Sequence, residues 1–297
     1  MRLLLLGGTG QVGTEAQALP LPTGVRIFAP PQSAVDLEDS AAIANIVAAE
    51  AWSAVINAAG YTNVDGAESA EAEAAAVNAT APTRLAAETG RYGIPLIHIS
   101  TDYVFDGRKG APYVEDDAPA PLSAYGRSKL AGERGVRNGN PRHVILRTAW
   151  VYSPYGKNFV RTILRLAQER DRLTIVADQR GCPTAARDVA QACIDVALHC
   201  AKGPERAPYG TYHFAGAGEA TWFEFATAIV ELAAGHTQRS PQVVPIRTVD
   251  YPTPAVRPAD ARLDCTKILR EFDVTMRPWR EALGETINRI ETGRESA

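Results

Sequence analysis

The chain has 297 residues, of which 45% are hydrophobic and 22% are charged. These values are ordinary for a globular protein that buries a sizeable core. The formal net charge is -3, and no basic run could follow a phosphate backbone, so a nucleic-acid partner is not expected. The four cysteines form no Cys-x-x-Cys pair and have no histidine at metal-ligand spacing. We therefore expect reduced cysteines, no metal bound through them, and a cytosolic protein.

The N-terminal segment contains a short apolar run at residues 3–6. This run is too short for a signal peptide. No later run approaches the roughly 20 apolar residues that a membrane-spanning helix needs. The sequence therefore predicts a cytoplasmic location and no membrane partner.

The same apolar run leads directly into a glycine-rich turn, GGTGQVG at residues 7–13, and then into an alanine-rich helical stretch. A buried strand, a glycine turn and a helix form the context of a dinucleotide-binding site. In such a site Gly7 permits the tight turn, Gly10 lets the backbone approach a pyrophosphate, and Gly13 allows close helix packing. The alternative is a plain glycine turn in an α/β protein.

A second apolar strand at residues 25–28 bears on the choice of cofactor. It ends in Ala29 and two prolines, where an acidic residue would bind the ribose 2′-hydroxyl of NADH and repel the 2′-phosphate of NADPH. Arg26 lies within the strand and is poorly placed to select the phosphate. The sequence therefore favours NADPH and leaves NADH open.

Further apolar strands at residues 54–60 and 95–101 alternate with helical stretches at 40–50 and 67–89. This alternation predicts an α/β protein with a Rossmann-type doubly wound parallel sheet. After about Trp150 the pattern changes to mixed helices and proline-rich connections. We expect a smaller, interleaved C-terminal α/β substrate domain.

The expected domain boundaries follow from that change of pattern. The NAD(P)-binding domain is predicted at residues 1–152 with a returning segment near 174–200. The substrate domain is predicted at 153–173 and 201–297.

A catalytic constellation is predicted downstream of the strand at residues 95–101. Thr101 stands at the carboxyl end of that strand, where ligands of open α/β sheets collect. Tyr125 and Lys129 are separated by four residues and share one face of a helix. A lysine cation favours the phenolate and makes proton exchange with a sugar carbonyl feasible at neutral pH. Together with a hydride from a nicotinamide, these groups could reduce a ketone to an alcohol.

Two residues of the second half have competing interpretations. Arg257 lies in a proline-rich segment, residues 251–258, and its guanidinium could bind a diphosphate or form a surface salt bridge. Trp150 follows an apolar strand and could stack on a sugar or fill the core.

These motifs resemble the extended short-chain dehydrogenase/reductase family, and within it the reductases of nucleotide-sugar 4-keto groups. The matching segments run nearly end to end, at residues 7–13, 57–65, 100–105, 121–133, 146–152, 178–184 and 251–258. The glycines and Tyr-x-x-x-Lys mark only the superfamily. The segments YPTPAVRP at 251–258 and RTAWVY at 147–152 are more specific.

The resemblance implies a role for each matching position. It implies a catalytic triad of Thr101, Tyr125 and Lys129, with the last two also binding the cofactor. It implies cofactor contacts at Gly7, Gly10, Gln11, Val12, Gly13, Asp36, Leu37, Gly60, Tyr61, Thr62 and Ile99. It implies that Thr101, Asp102, Tyr103, Trp150 and Arg257 face a small-molecule nucleotide-sugar substrate.

Some members of the resembled family dimerise through Mg²⁺ held by glutamates. Glu15 matches one of those positions, but Arg187 occupies another. The resemblance therefore allows a homodimer, while a magnesium bridge in it is doubtful.

Two other functions remain to be compared with reduction. Epimerases and dehydratases of nucleotide sugars share this pattern, but dehydratases need an Asp-Glu pair after the catalytic threonine, and here Asp102 is followed by Tyr103. A non-catalytic regulatory subunit, like the β-subunit of methionine adenosyltransferase, shares it too. In that protein the threonine position is altered, whereas this chain keeps Thr101.

Overall fold

The computed structural model describes residues 1–234 and 239–295. The expected substrate-domain range 201–297 also includes residues 235–238 and 296–297, which lie outside the described residues. In chain order the strands are β1 (Arg2–Leu6), β2 (Arg26–Phe28), β3 (Ala54–Asn57), β4 (Leu96–Thr101), β5 (His143–Thr148), β6 (Val151–Tyr152), β7 (Arg172–Val176), β8 (Arg180–Gly181), β9 (Thr184–Ala185), β10 (Gly210–His213), β11 (Ala220–Thr221) and β12 (Gln242–Ile246). The helices are α1 (Gln11–Ala18), α2 (Ser40–Ala48), α3 (Glu71–Ala75), α4 (Ala81–Arg91), α5 (Ala124–Gly139), α6 (Phe159–Glu169), α7 (Ala186–Lys202), α8 (Trp222–Ala233), α9 (Thr266–Phe272) and α10 (Trp279–Glu295).

A parallel sheet forms the centre of the molecule, with the strand order β10-β5-β4-β3-β1-β2. Its inner strands are buried and mostly apolar, because helices cover both faces and leave no solvent-facing side. Residues Leu3 to Leu6 of β1, for example, are all buried. The order reverses between β1 and β3, and ligands of open α/β sheets bind in the crevice outside such a reversal. The Rossmann-type fold class predicted from the sequence is confirmed.

The long helical stretch expected at residues 67–89 is divided in the structure. One turn of π-helix at Ala76–Thr80 joins α3 to α4. Such turns insert one extra residue and change which side chains face inward. Here the turn places the polar side chain of Asn78 in a buried position.

The division into two domains stays a prediction, but two segments pair differently from the expected boundaries. β10 lies in the expected substrate range and completes the central sheet by pairing with β5. β7, whose last residues were expected to return to the first domain, pairs instead with β12. Both pairings join distant segments, so local patterns could not reveal them. The returning helix is α7, which packs on α1 and β3.

A second apolar core lies outside the central sheet, between α6, α8 and α10. It includes Ile163, Phe225 and Leu283, all buried. The apolar residues of α6 predicted as a packing stripe, Val160, Ile163, Leu164 and Ala167, are all buried in it. Among the described residues, no helix combines the length and the apolar character that crossing a membrane would require.

Candidate active site

The glycine turn between β1 and α1 is packed so tightly that side chains are excluded. Gly7 has a positive φ of 83°, and a Cβ there would lie 2.4 Å from the backbone nitrogen of Ala59. A Cβ on Gly13 would lie 2.1 Å from the carbonyl oxygen of Gly7. α1 begins at Gln11, and its N-cap residue Gly10 provides no side-chain hydrogen bond. The first amides of the helix are therefore left to bind an anion, and this cradle fits a dinucleotide pyrophosphate.

The remaining cofactor positions near the glycine turn differ in exposure. Val12 is half-buried and packs on the apolar core formed around the central sheet. Asp36 is exposed, and its Oδ1 accepts a hydrogen bond from the Glu38 amide at 2.9 Å, while Leu37 is half-buried. The carboxylate thus shapes its own turn. The adenine contact of Asp36 and Leu37 stays a prediction.

The stretch after β3 is positioned by Asn78, a residue that the sequence analysis missed. Its Oδ1 accepts a hydrogen bond from the Tyr61 amide at 2.9 Å, and its Nδ2 donates to the Tyr61 carbonyl at 3.0 Å. Nδ2 also lies 3.0 Å from the Ser128 hydroxyl on α5. Asn78 thereby connects the cofactor stretch Gly60, Tyr61 and Thr62 to the helix that carries Tyr125. The sequence signal that could have revealed Asn78 is a single asparagine within an alanine-rich helical stretch.

Thr101 and Asp102 lie together at the carboxyl end of β4, and both are buried. The Thr101 hydroxyl donates to Asp102 Oδ1 at 3.0 Å and accepts from the Tyr103 amide at 3.2 Å. Oδ2 of Asp102 has no hydrogen-bond partner among the described residues. Burial raises the pKa of Asp102 to about 7, although the Thr101 hydrogen bond opposes the shift.

Helix α5 carries Tyr125 and Lys129 into the same buried region. Ser123 caps the helix by accepting from the Gly126 amide at 3.1 Å, which fixes where its first turn begins. Both side chains are at least nine-tenths buried. Lys129 Nζ donates to the Ile99 carbonyl at 2.7 Å, so these two predicted site residues are in direct contact.

The electrostatics of this pair follow from burial. Burial raises the pKa of Tyr125 to about 12, and a hydrogen bond with Thr101 opposes that shift. Burial also lowers the pKa of Lys129 to about 8, and the charge of Glu133 opposes that shift. Thr101 and Tyr125 are thus in contact, and Lys129 follows one helical turn later with its Nζ on the Ile99 carbonyl. The expected lowering of the Tyr125 pKa by Lys129 is not found, because burial raises it.

Tyr103 packs its ring against Tyr125 in an edge-to-face contact, with centroids 5.6 Å apart. The close approach depends on Gly126, where a Cβ would lie 2.3 Å from the Tyr103 carbonyl oxygen. Burial raises the pKa of the Tyr103 phenol well above its usual range, and the charge of Asp102 adds to this. Tyr103 is therefore a neutral phenol beside the proposed proton donor.

Trp150 joins the two cores. Its ring stacks on Trp222 with centroids 3.5 Å apart and planes 7° apart, and it packs on both apolar clusters. Its backbone has a φ of 48°, a conformation that is strained for a bulky side chain. Close contact requires glycine at position 181, where a Cβ would lie 2.5 Å from Trp150 Cε2. The packing interpretation of Trp150 is confirmed, and its contact with a sugar stays a prediction.

The guanidinium of Arg257 binds a carboxylate of its own chain. Its guanidinium pairs with Asp65 through Nη2 to Oδ2 at 2.7 Å and Nη1 to Oδ1 at 3.0 Å. The fork expected to receive a diphosphate therefore holds a carboxylate of the same chain. The sequence could not reveal this, because 192 residues separate the partners. The pair is a salt bridge, as the alternative interpretation proposed, and a diphosphate contact of Arg257 stays a prediction.

Glu15 does not fit a magnesium site. It is completely buried, and Arg289 donates to its two oxygens at 2.8 and 3.1 Å. Arg187 adds an ion pair at 3.5 Å. Within residues 1–234 and 239–295, no cluster of three acidic, histidine or cysteine side chains could hold a metal ion. The carboxylate is thus neutralised by arginines of its own chain.

A Rossmann sheet with a glycine cradle, and with threonine, tyrosine and lysine side chains gathered at the carboxyl end of β4, defines the class of short-chain dehydrogenase/reductase proteins. Comparison with known proteins narrows this class. The family model described as RmlD substrate binding domain matches residues 1–292. A dTDP-4-dehydrorhamnose reductase of Sinorhizobium fredii is 43% identical over 95% of each chain.

Solved structures agree with this match. The dTDP-4-dehydrorhamnose reductase of Clostridium acetobutylicum superimposes with a TM-score of 0.90 at 34% identity, covering 98% of this chain and 99% of that one. The enzyme of Bacillus anthracis, solved in complex with NADP, has a TM-score of 0.89 at 33% identity and covers 97% and 99%. This chain belongs to the dTDP-4-dehydrorhamnose reductase family.

Proposed function

We propose that this chain reduces the 4-keto group of dTDP-4-dehydro-L-rhamnose to a hydroxyl and yields dTDP-L-rhamnose for surface polysaccharide. The observation that carries the proposal is the contact of Tyr125 with Thr101, together with Lys129 on the same helix bound to the carbonyl of Ile99, two residues before Thr101. The family membership of the whole chain supports it.

NADPH is the proposed cofactor, because β2 ends without an acidic residue and a relative was solved with NADP. NADH stays open as an alternative. The nicotinamide, when bound, supplies the hydride. The glycine cradle binds the pyrophosphate, and Lys129 together with the Ile99 carbonyl lies on the nicotinamide side.

The protein supplies the proton. Tyr125 donates its phenolic proton to the keto oxygen while Thr101 hydrogen-bonds the same oxygen. The Lys129 cation stabilises the phenolate that remains. One hydride on carbon and one proton on oxygen complete the alcohol. Asp102, Tyr103 and Trp150 line the sugar side in this proposal.

The alternatives have less support. Tyr103 takes the position where a dehydratase carries its glutamate, and its ring is fixed against Tyr125. Thr101, which the regulatory-subunit interpretation would see altered, is present and in contact with its catalytic neighbours. A homodimer and a cytoplasmic location remain predictions, the first testable by light scattering of the purified protein.

The test is NADPH oxidation, with NADH in parallel, in the presence of dTDP-4-dehydro-L-rhamnose made in the same tube by a dehydratase and an epimerase. We expect consumption that depends on the sugar nucleotide. Tyr125→Phe should reduce turnover by about 100-fold or more, the contribution of a positioned general acid, and leave NADPH binding nearly intact. Tyr92→Phe, at an exposed tyrosine, is the matched control. Full activity of Tyr125→Phe would contradict the mechanism.

A further inference from the structure

The loop between β6 and α6, residues 153–158, folds over the glycine turn from the other half of the molecule. Gly156 has a φ of 63°, and a Cβ there would lie 3.8 Å from Gln11 Cγ. Two side chains of this loop reach the Gln11 side chain. Ser153 Oγ and Asn158 Nδ2 both lie 2.9 Å from Gln11 Oε1.

The orientation of Asn158 is determined by its own helix. Its Oδ1 accepts from the Arg161 amide at 3.1 Å, capping α6, so its Nδ2 must point the other way. Nδ2 is a donor only. Its two protons face three acceptors, namely Gln11 Oε1 at 2.9 Å, the Ser153 carbonyl at 2.9 Å and the Tyr155 carbonyl at 3.1 Å. Because one N–H donor cannot face another at this distance, the side-chain atom of Gln11 that lies opposite must be the amide oxygen.

This requirement fixes the polarity of Gln11. With Oε1 held by Asn158, the amide nitrogen Nε2 points away from the loop, and it has no acceptor in the part of the chain that the structure describes. Gln11 is half-buried at the first position of α1, beside amides that are free to bind an anion. An Nε2 group directed there adds two donors to that anion site.

We propose that Asn158, assisted by Ser153, is a positioning residue that orients the Gln11 amide so that its nitrogen donates to the cofactor pyrophosphate. This inference rests on the proposed function. Ser153 assists through its single hydroxyl proton, for which Gln11 Oε1 and the Tyr155 carbonyl compete at 2.9 Å each. The loop that carries both residues precedes α6, in the expected substrate half. That half therefore sets the donor pattern of the cofactor site.

Asn158→Ser tests the proposal, because serine keeps the α6 cap and loses the donor to Gln11. It also loses the Nδ2 bonds to the Ser153 and Tyr155 carbonyls, an effect that the double-mutant cycle below separates. We expect the Kd for NADPH, measured by fluorescence titration, to rise about tenfold, as for loss of a hydrogen bond to a charged group. Ser153→Ala combined with Asn158→Ser should raise it further. Thr162→Ala is the control, because Thr162 Oγ1 bonds the Asn158 carbonyl in the same first turn without touching Gln11. It should leave the Kd unchanged.

A purely structural role of Asn158 is separated by a double-mutant cycle. In a Gln11→Ala background, Asn158→Ser should have no further effect on the NADPH Kd. An undiminished effect there, or an unchanged Kd for Asn158→Ser alone, would overturn the inference.

A third variant, Gln11→Glu, keeps the acceptor that Asn158 needs but turns an anionic oxygen towards the pyrophosphate. We expect it to weaken NADPH binding more than Gln11→Ala, with an unchanged thermal unfolding midpoint. Binding by Gln11→Glu as tight as wild type would contradict the inference. Wild-type protein that failed to bind NADPH would overturn the proposed function as well, so the two failures are distinguishable.

Discussion

Arg257 and Asp65 are joined by two parallel hydrogen bonds, at 2.7 and 3.0 Å. The same guanidinium holds its own segment in shape by donating to Thr253 Oγ1 at 2.7 Å. The hydrogen bond with Arg257 lowers the pKa of Asp65, although burial opposes the shift. Arg257 therefore fixes the proline-rich segment 251–258 to the loop that follows β3.

Arg257→Lys keeps the charge but cannot form the two-pronged contact. We expect the KM for the sugar nucleotide to rise several-fold, because the segment that Arg257 holds is predicted to face that substrate. The unfolding free energy should change by no more than about 1 kcal/mol, since the partners are 22% and 37% exposed and solvent screens the pair. Arg247→Lys, at an exposed ion pair, is the control. Equal kinetics for the two variants would argue against a role of Arg257 in substrate binding.

The depressed pKa of Lys129, about 8, predicts an alkaline limit to activity. Above that pH the amine loses its proton, and the cation that stabilises the Tyr125 phenolate disappears. We expect kcat/KM, which reports the free enzyme, to fall as pH rises through about 8. In Lys129→Arg the guanidinium stays charged, so the kcat/KM of any residual activity should not fall as pH rises through about 8. A wild-type profile that stays flat to pH 9.5 would contradict the assignment.

Asp102 predicts an unusual dependence of stability on pH. Its folded-state pKa of about 7 lies above the ordinary value of 3.8, so the folded state retains a proton that the unfolded state releases. Its contribution is fully present below about pH 4 and is lost as pH rises to about 7.

The variant Asp102→Asn removes this titration. Its unfolding free energy relative to wild type should therefore improve between pH 4.5 and pH 8, by an amount on the order of 4 kcal/mol at most. Urea unfolding at both pH values measures the difference. Asp116→Asn, at an exposed aspartate, is the control. A difference between Asp102→Asn and wild type that is the same at both pH values would refute the prediction.

The buried ion pairs of Glu15 predict that magnesium is dispensable. Because Arg289 and Arg187 already neutralise this carboxylate, a divalent cation would have to displace one of them. Dialysis against EDTA should leave kcat and the molar mass in light scattering unchanged. Loss of activity or of mass on chelation, restored by added Mg²⁺, would show that a metal acts elsewhere in the protein.

The sequence predicts those parts of the site that depend on local chemistry. The strand at residues 3–6, the glycine turn, and the shared face of Tyr125 and Lys129 all follow from short-range rules, and the structure contains each of them. Asn78 was missed because its partners lie 17 and 50 residues away. Asn158 was missed for the same reason, since 147 residues separate it from Gln11. For Arg257 the sequence left a diphosphate contact and a salt bridge open, because its carboxylate partner Asp65 lies 192 residues away.

The edge strand β10 of the central sheet comes from the second half of the chain, so a fragment that ends before it lacks part of the sheet. β5 pairs on one side with β4 and on the other with β10, which is synthesised more than sixty residues later. Arg147 of β5 is completely enclosed, bound to Glu133 at 2.8 Å and adjacent to His213 of β10. A fragment ending near residue 152 would expose this ion pair and an unpaired strand edge to water. A fragment of residues 1–152 is therefore not expected to fold as an autonomous module, and on the ribosome the central sheet is completed only after all of α6 and α7 have emerged.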